Sequence, residues 1–145
     1  MSQVSTYKFD RTPVDPEGGR WFTDVFAEDV AKNALVAYKK LPPRTPLGSY
    51  HYHEKCENFL IVLQGQLECL VGKVRYLVNE NEIIYMPDKI PHATGNCGDV
   101  ECHAVEFYSP SRGTGPDMDS HPAELPAEIG ARLAAAGAIP RLAEL

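Results

Sequence analysis

A chain of 145 residues is long enough for one domain with its own hydrophobic core and short for two. Its 43% hydrophobic and 23% charged content is that of an ordinary globular protein and excludes extensive disorder. The formal charge of −6, from 20 acidic against 14 basic residues with no basic run, argues against nucleic acid or an anionic membrane as partner and chiefly favours solubility.

The first residues, MSQVSTYKFD, lack the apolar stretch of a secretory signal. No run approaches the roughly 18 consecutive apolar residues of a membrane span, so a cytoplasmic location is expected. In that reducing compartment Cys56, Cys69, Cys97 and Cys102, which form no CxxC pair, are expected to be free thiols. Residues 1–33 read as an N-terminal arm: DRTPVDPEGGRW at 10–21 is dense in Pro, Gly and Asp, with Trp21 and Phe22 as a packing anchor. A strand is predicted over 34–41, and PPRTPLG at 42–48 is a loop. Further strands are predicted over 59–63, 66–71, 73–78, 82–86 and 100–108, separated by Gly65, Gly72, Asn79 to Asn81, Pro87 with Asp88, and Gly98 with Asp99. Many short strands at this spacing indicate an all-β sandwich or barrel, with its core over 34–110. Residues 111–145 are loop followed by a short helix over 127–139, where Ile129 and Leu133 share one face and Pro140 ends it.

Two histidines stand out in SYHYHEKCENFLIVLQG at 49–65. Alternate residues of a strand point to one side, so His51 and His53 face together while Tyr50 and Tyr52 face away and pack. A third, His92, follows the strand over 82–86 in YMPDKIPHATGN. Imidazole nitrogens with a carboxylate suit divalent iron, manganese, nickel or zinc and leave coordination positions open. Counting forward from His53 selects Glu57 as that carboxylate, provided a bulge near 54–57 turns it inward. Counting back from Gly65 selects Asn58 instead, and one residue of register exchanges the faces of a strand. Glu57 is preferred because its charge offsets that of the cation. Cys56 reads as a small buried hydrophobe. On the strand over 100–108, His103 and Glu106 lie on opposite faces, each a candidate base behind the metal; His121 reads as having no site role.

The stretch HYHEKCENFLIVLQG at 51–65 resembles the first motif of the cupin superfamily, and PDKIPHATGN at 87–96, with Pro87, His92 and Asn96, resembles the second. The resemblance covers residues 34–110. Asn81-Glu82 stands where the family has Gly-Asp, and Asn tolerates the left-handed backbone nearly as Gly does. Lys89 replaces an inner glycine and suggests a different turn or a charge at the rim. The resemblance implies a cupin-type jelly-roll barrel, a homodimer formed through sheet edges and arms, and a small-molecule substrate. It further implies one divalent metal on His51, His53, Glu57 and His92, with Fe(II) favoured over Mn, Ni or Zn. Oxidative cleavage by a dioxygenase is slightly preferred over isomerase, lyase or decarboxylase chemistry, because the strands bordering the pocket carry no arginine or lysine cluster. The alternative to an enzyme is a barrel that binds a small ligand.

Overall fold

The computed structural model describes residues 4–26 and 30–135, the last four as backbone only. The strands, in chain order, are β1 (Trp21–Asp24), β2 (Leu35–Leu41), β3 (His51–Tyr52), β4 (Glu57–Gln64), β5 (Gln66–Val71), β6 (Val74–Asn79), β7 (Ile83–Met86), β8 (His92–Gly95), β9 (Cys102–Ser109) and β10 (His121–Pro122), followed by helix α1 (Ala127–Ala135). They form two five-stranded antiparallel sheets, ordered β1-β2-β9-β4-β7 and β10-β3-β8-β5-β6. The expected all-β barrel with a short helix is therefore what the chain forms. Pro140 lies outside the described residues. No described helix is long and apolar enough to cross a membrane.

The core lies between the sheets. Leu41, Leu60, Val62, Met86, Cys102 and Ala104 from the first sheet meet Leu67, Cys69 and Val78 from the second. Along β4 burial alternates, so Asn58, Leu60 and Val62 point inward while Glu57, Phe59 and Ile61 point out, as a pleated strand with one buried face requires. The register shift in this strand falls between Val62 and Gln64, not near 54–57. On β9 the same alternation turns Cys102, Ala104, Glu106 and Tyr108 inward and His103 outward. All four cysteines are free and buried.

The arm is more ordered than its composition suggests. It adds β1 to the edge of β2 and crosses the outer face of that sheet. Tyr38 Oη donates to Asp10 O at 3.1 Å, and Lys40 Nζ donates to Thr12 O at 2.6 Å while sitting 4.8 Å over the Trp21 ring. These contacts satisfy two polar groups that the sheet would otherwise bury unpaired.

Asn81 has the left-handed backbone expected of it, with φ 67°. Lys89 has it too, with φ 64°, so the turn keeps a glycine-like shape despite the side chain. Gly65, with φ 72°, links the sheets where an added Cβ would stand 2.7 Å from the Glu101 carbonyl oxygen. Gly65→Ala is therefore expected to cost at least about 2 kcal/mol in chemical denaturation, from the left-handed backbone and the clash together.

Candidate metal centre

His51 on β3 is the cross-strand partner of His92 on β8, and His53 follows one pleat repeat later. The three rings form a near-equilateral triangle, with centroids 5.1 Å (His51–His53), 4.7 Å (His51–His92) and 5.1 Å (His53–His92) apart. Their ligating nitrogens lie within 4.8 Å of one another, and among the described residues they form a group that can hold a metal ion.

The tautomers are set by the backbone. His51 Nδ1 meets Ser49 O at 2.9 Å, His92 Nδ1 meets Ile90 O at 3.1 Å, and His53 Nδ1 meets Asp119 O. A carbonyl only accepts, so each Nδ1 carries the proton and each Nε2 keeps its lone pair. The Nε2 atoms of His53 and His92 are buried without a hydrogen-bond partner among the described residues. An orphaned buried acceptor costs about 1–3 kcal/mol, a penalty that coordination to a cation removes. The residues present thus fit a divalent metal. Asp119, far away in sequence, was not foreseen. Besides holding His53 through its carbonyl, its carboxylate accepts the backbone N–H groups of Glu54, Lys55 and Cys56, fixing the turn after His53.

Glu57, preferred from the sequence as the fourth ligand, is not brought to the histidines. Its carboxylate lies on the outer face of the first sheet and accepts the Tyr85 hydroxyl. Asn58 takes the inward position and is fully buried. Its Nδ2 donates to Glu106 Oε2 at 2.6 Å, and its Oδ1 has no partner among the described residues. Because a carboxylate only accepts, Glu106 determines which end of the amide faces it.

The two candidate bases separate as their faces dictate. His103 lies under the arm: Nε2 meets Glu101 Oε2 at 2.7 Å, and Nδ1 meets Tyr38 Oη at 2.7 Å and Arg11 Nε at 3.2 Å. It anchors the arm and is not at the cluster. Glu106 is inside, accepting from Lys39 Nζ, Asn58 Nδ2 and, at 2.6 Å, Tyr108 Oη. Burial alone would raise its pKa, but the Lys39 ammonium and the hydrogen bonds hold it below the usual carboxylate range. Tyr108 also sets its ring 5.3 Å from that of His53, edge to face.

Beside the cluster opens a cavity of about 300 Å³, lined among others by His51, His53, Tyr108, Lys39, Arg20 and Arg112. The bordering strands themselves bring one cation, Lys39, and no cluster, as expected; the other two reach the cavity from outside the strands. Arg20 comes from the arm, Lys39 from the inner face of β2 and Arg112 from the loop after β9, so no single stretch of sequence displays them together.

Burial, and next the charge of His51, push the His92 pKa down to about 4. His53 shifts the same way, again chiefly through burial. Both imidazoles are thus neutral at pH 7, the form that coordinates. For the metal-free protein the folded pKa of His92 lies below the unfolded value of 6.5. Below pH 6.5 the unfolded chain takes up a proton that the folded chain refuses, and stability falls until about pH 4. Denaturation midpoints between pH 8 and 4 are expected to show this decline, and to show less of it in His92→Gln.

Two sheets enclosing a core, with three imidazoles converging beside a cavity, define a small β-barrel with a candidate metal centre. The chain belongs to the cupin superfamily: the sequence pattern of the cupin domain matches residues 37–108. Mannose-1-phosphate guanylyltransferase RfbM of Salmonella typhimurium is 31% identical over 81 residues, which cover 56% of this chain and 17% of that much longer protein. The structure of KdgF from a Halomonas species superposes with a TM-score of 0.60 at 18% identity, over 74% of this chain and 94% of its own. A sugar phosphate isomerase of the superfamily from Silicibacter pomeroyi gives 0.53 at 17% identity, over 65% and 61%. These structural likenesses show the fold.

Proposed function

We propose that this protein is a metal-dependent cupin enzyme that acts on a small oxygen-bearing organic molecule by redox-neutral chemistry, as an isomerase, lyase or decarboxylase. The observation that carries the proposal is the triangle of imidazoles, each with Nδ1 tied to a carbonyl and the lone pair left on Nε2, beside a cavity of substrate size. His51, His53 and His92 would hold one divalent ion; iron, manganese, nickel and zinc all accept such nitrogens. When bound, the ion supplies a Lewis acid that polarises a substrate carbonyl or hydroxyl oxygen. The chain's own contribution is orientation: Ser49, Ile90 and Asp119 aim the rings, while Tyr108 and Lys39, both held by Glu106 Oε1, wall the cavity. The lack of an arginine or lysine cluster on the bordering strands favours oxygen chemistry slightly, but the arm and the loop after β9 add Arg20 and Arg112 to Lys39 in the cavity. The guanylyltransferase and the sugar phosphate isomerase among the similar proteins lean the same way, although the first is matched over only 17% of its length.

Metal analysis of anaerobically purified protein, followed by product analysis with hydroxy acids, keto acids and sugar acids under argon and under air, tests this reading. Turnover under argon is expected. Turnover only in air, with oxygen uptake, would overturn the redox-neutral assignment in favour of a dioxygenase, and absence of bound metal would overturn the metal centre. The homodimer belongs to the same proposal. Val74, Tyr76, Ile83 and Tyr85 stand exposed on β6 and β7, the outer strands of the two sheets, and sedimentation equilibrium reads whether a second copy covers them.

A further inference from the structure

The cavity's charge is the opposite of the molecule's. The chain carries −6 overall, yet three cations and no acidic side chain line the cavity among the described residues. Behind the wall Glu106 pairs with Lys39, and the Asp119 carboxylate, between the lining residues Met118 and Ser120, is turned to the backbone N–H groups of Glu54, Lys55 and Cys56, so three cations face two carboxylates and the fixed charge stays positive before any metal is bound.

The three cations are not equivalent. Arg20 has Nη2 between the carbonyl oxygens of Pro46 and Thr94, which makes it a clip between the arm and the barrel. Among the described residues Lys39 makes one polar contact, to Glu106 Oε1, the same oxygen that Tyr108 Oη reaches at 2.6 Å, and so places its ammonium next to the Tyr108 hydroxyl. An ammonium has three N–H donors, so two remain for a ligand in the cavity. On the ring of the same tyrosine, Arg112 stacks 4.8 Å from the centroid, with Nη1 donating to Gly113 O at 3.0 Å. Tyr108 therefore carries Lys39 beside its hydroxyl and Arg112 over its ring, while its ring also contacts His53. A charged donor pair so placed in a concave cavity selects an oxyanion more strongly than the same charges on a flat surface.

We propose that Lys39 and Arg112 form an anion pole of this cavity, so that the substrate carries a carboxylate or phosphate group next to the oxygen atoms that face the histidines. The proposal rests on the cavity being the substrate site of the function proposed above. It adds that an acid, and not its neutral counterpart, is the ligand.

The test compares acids with neutral analogues by calorimetric titration of the zinc-loaded protein. The probes are glycolate and glycerol 3-phosphate against ethylene glycol and glycerol. Each acid is expected to bind at least about tenfold more tightly than its neutral partner, the scale of one charged hydrogen bond. Which acid binds more tightly separates a carboxylate from a phosphate pole. Arg112→Gln and Lys39→Gln are expected to remove this preference and leave zinc affinity unchanged. Lys39→Gln leaves Glu106 buried without its cation; should it fail to fold, Arg112→Gln, in a loop, carries the comparison alone. Equal binding of acids and neutral analogues in the wild type, or an undiminished preference in Arg112→Gln, overturns the anion pole. Repeating the titrations without zinc separates the two readings. The pole does not need the ion, so a preference for acids persists there even if the histidines hold no metal, and its loss together with intact zinc binding counts against the pole alone.

Discussion

Replacing His92 by alanine is expected to weaken divalent metal binding by at least about 100-fold while leaving the barrel folded. The side chain removed supplies one of the three converging nitrogens, and among the described residues its Nε2 has no hydrogen-bond partner. The main apolar core, built on Leu60, Val62, Leu67 and Met86, does not include the histidine, so cooperative unfolding should persist. His53→Ala should behave alike, with an added loosening of the 54–56 turn, because the Asp119 carbonyl loses its donor. Full metal occupancy in His92→Ala, measured by elemental analysis after dialysis, would remove the basis of the metal centre.

Asn58→Ala should be far more damaging than Glu57→Gln. Removing the Asn58 amide deprives the buried Glu106 carboxylate of a donor, which is expected to cost about 1–3 kcal/mol of stability. It also deletes the inward-facing oxygen of β4, and metal affinity is expected to drop about tenfold with it. Glu57→Gln changes a side chain on the outer face, where an amide oxygen still accepts the Tyr85 hydroxyl, and should alter stability by less than about 0.5 kcal/mol. Calorimetric metal titrations and urea denaturation of both variants measure the order. The reverse order would mean that β4 turns Glu57 inward in solution.

This pair shows where the sequence stopped being legible. FLIVL at 59–63 is apolar at every position, so it announces a strand but not which of its residues face the core. The sheets decide that: β4 packs Leu60 and Val62 inward, and the two-residue period then carries Asn58 inward with them. A bulge near 54–57 would have exchanged the faces, but the irregularity lies at Val62 to Gln64, beside the turn at Gly65. His103 and Glu106 posed the same question on β9, and the arm answered it by covering His103 with Arg11. The strand β8, four residues long, was equally hidden, being too brief to show any period.

The cupin resemblance added His92; by itself the sequence determined the all-β class, the turns at Gly65 and Asn81, and the common facing of His51 and His53. Each of these depends on residue type and local spacing, through strand alternation, left-handed turn residues and imidazole chemistry. Only the tertiary structure decided that Asn58 and Glu106 face inward, that Asp119 orients His53 from 66 residues away, and that Arg20, Lys39 and Arg112 share one cavity. These relations join residues on different strands and loops. They arise from how two sheets close on a common core, which no local spacing encodes.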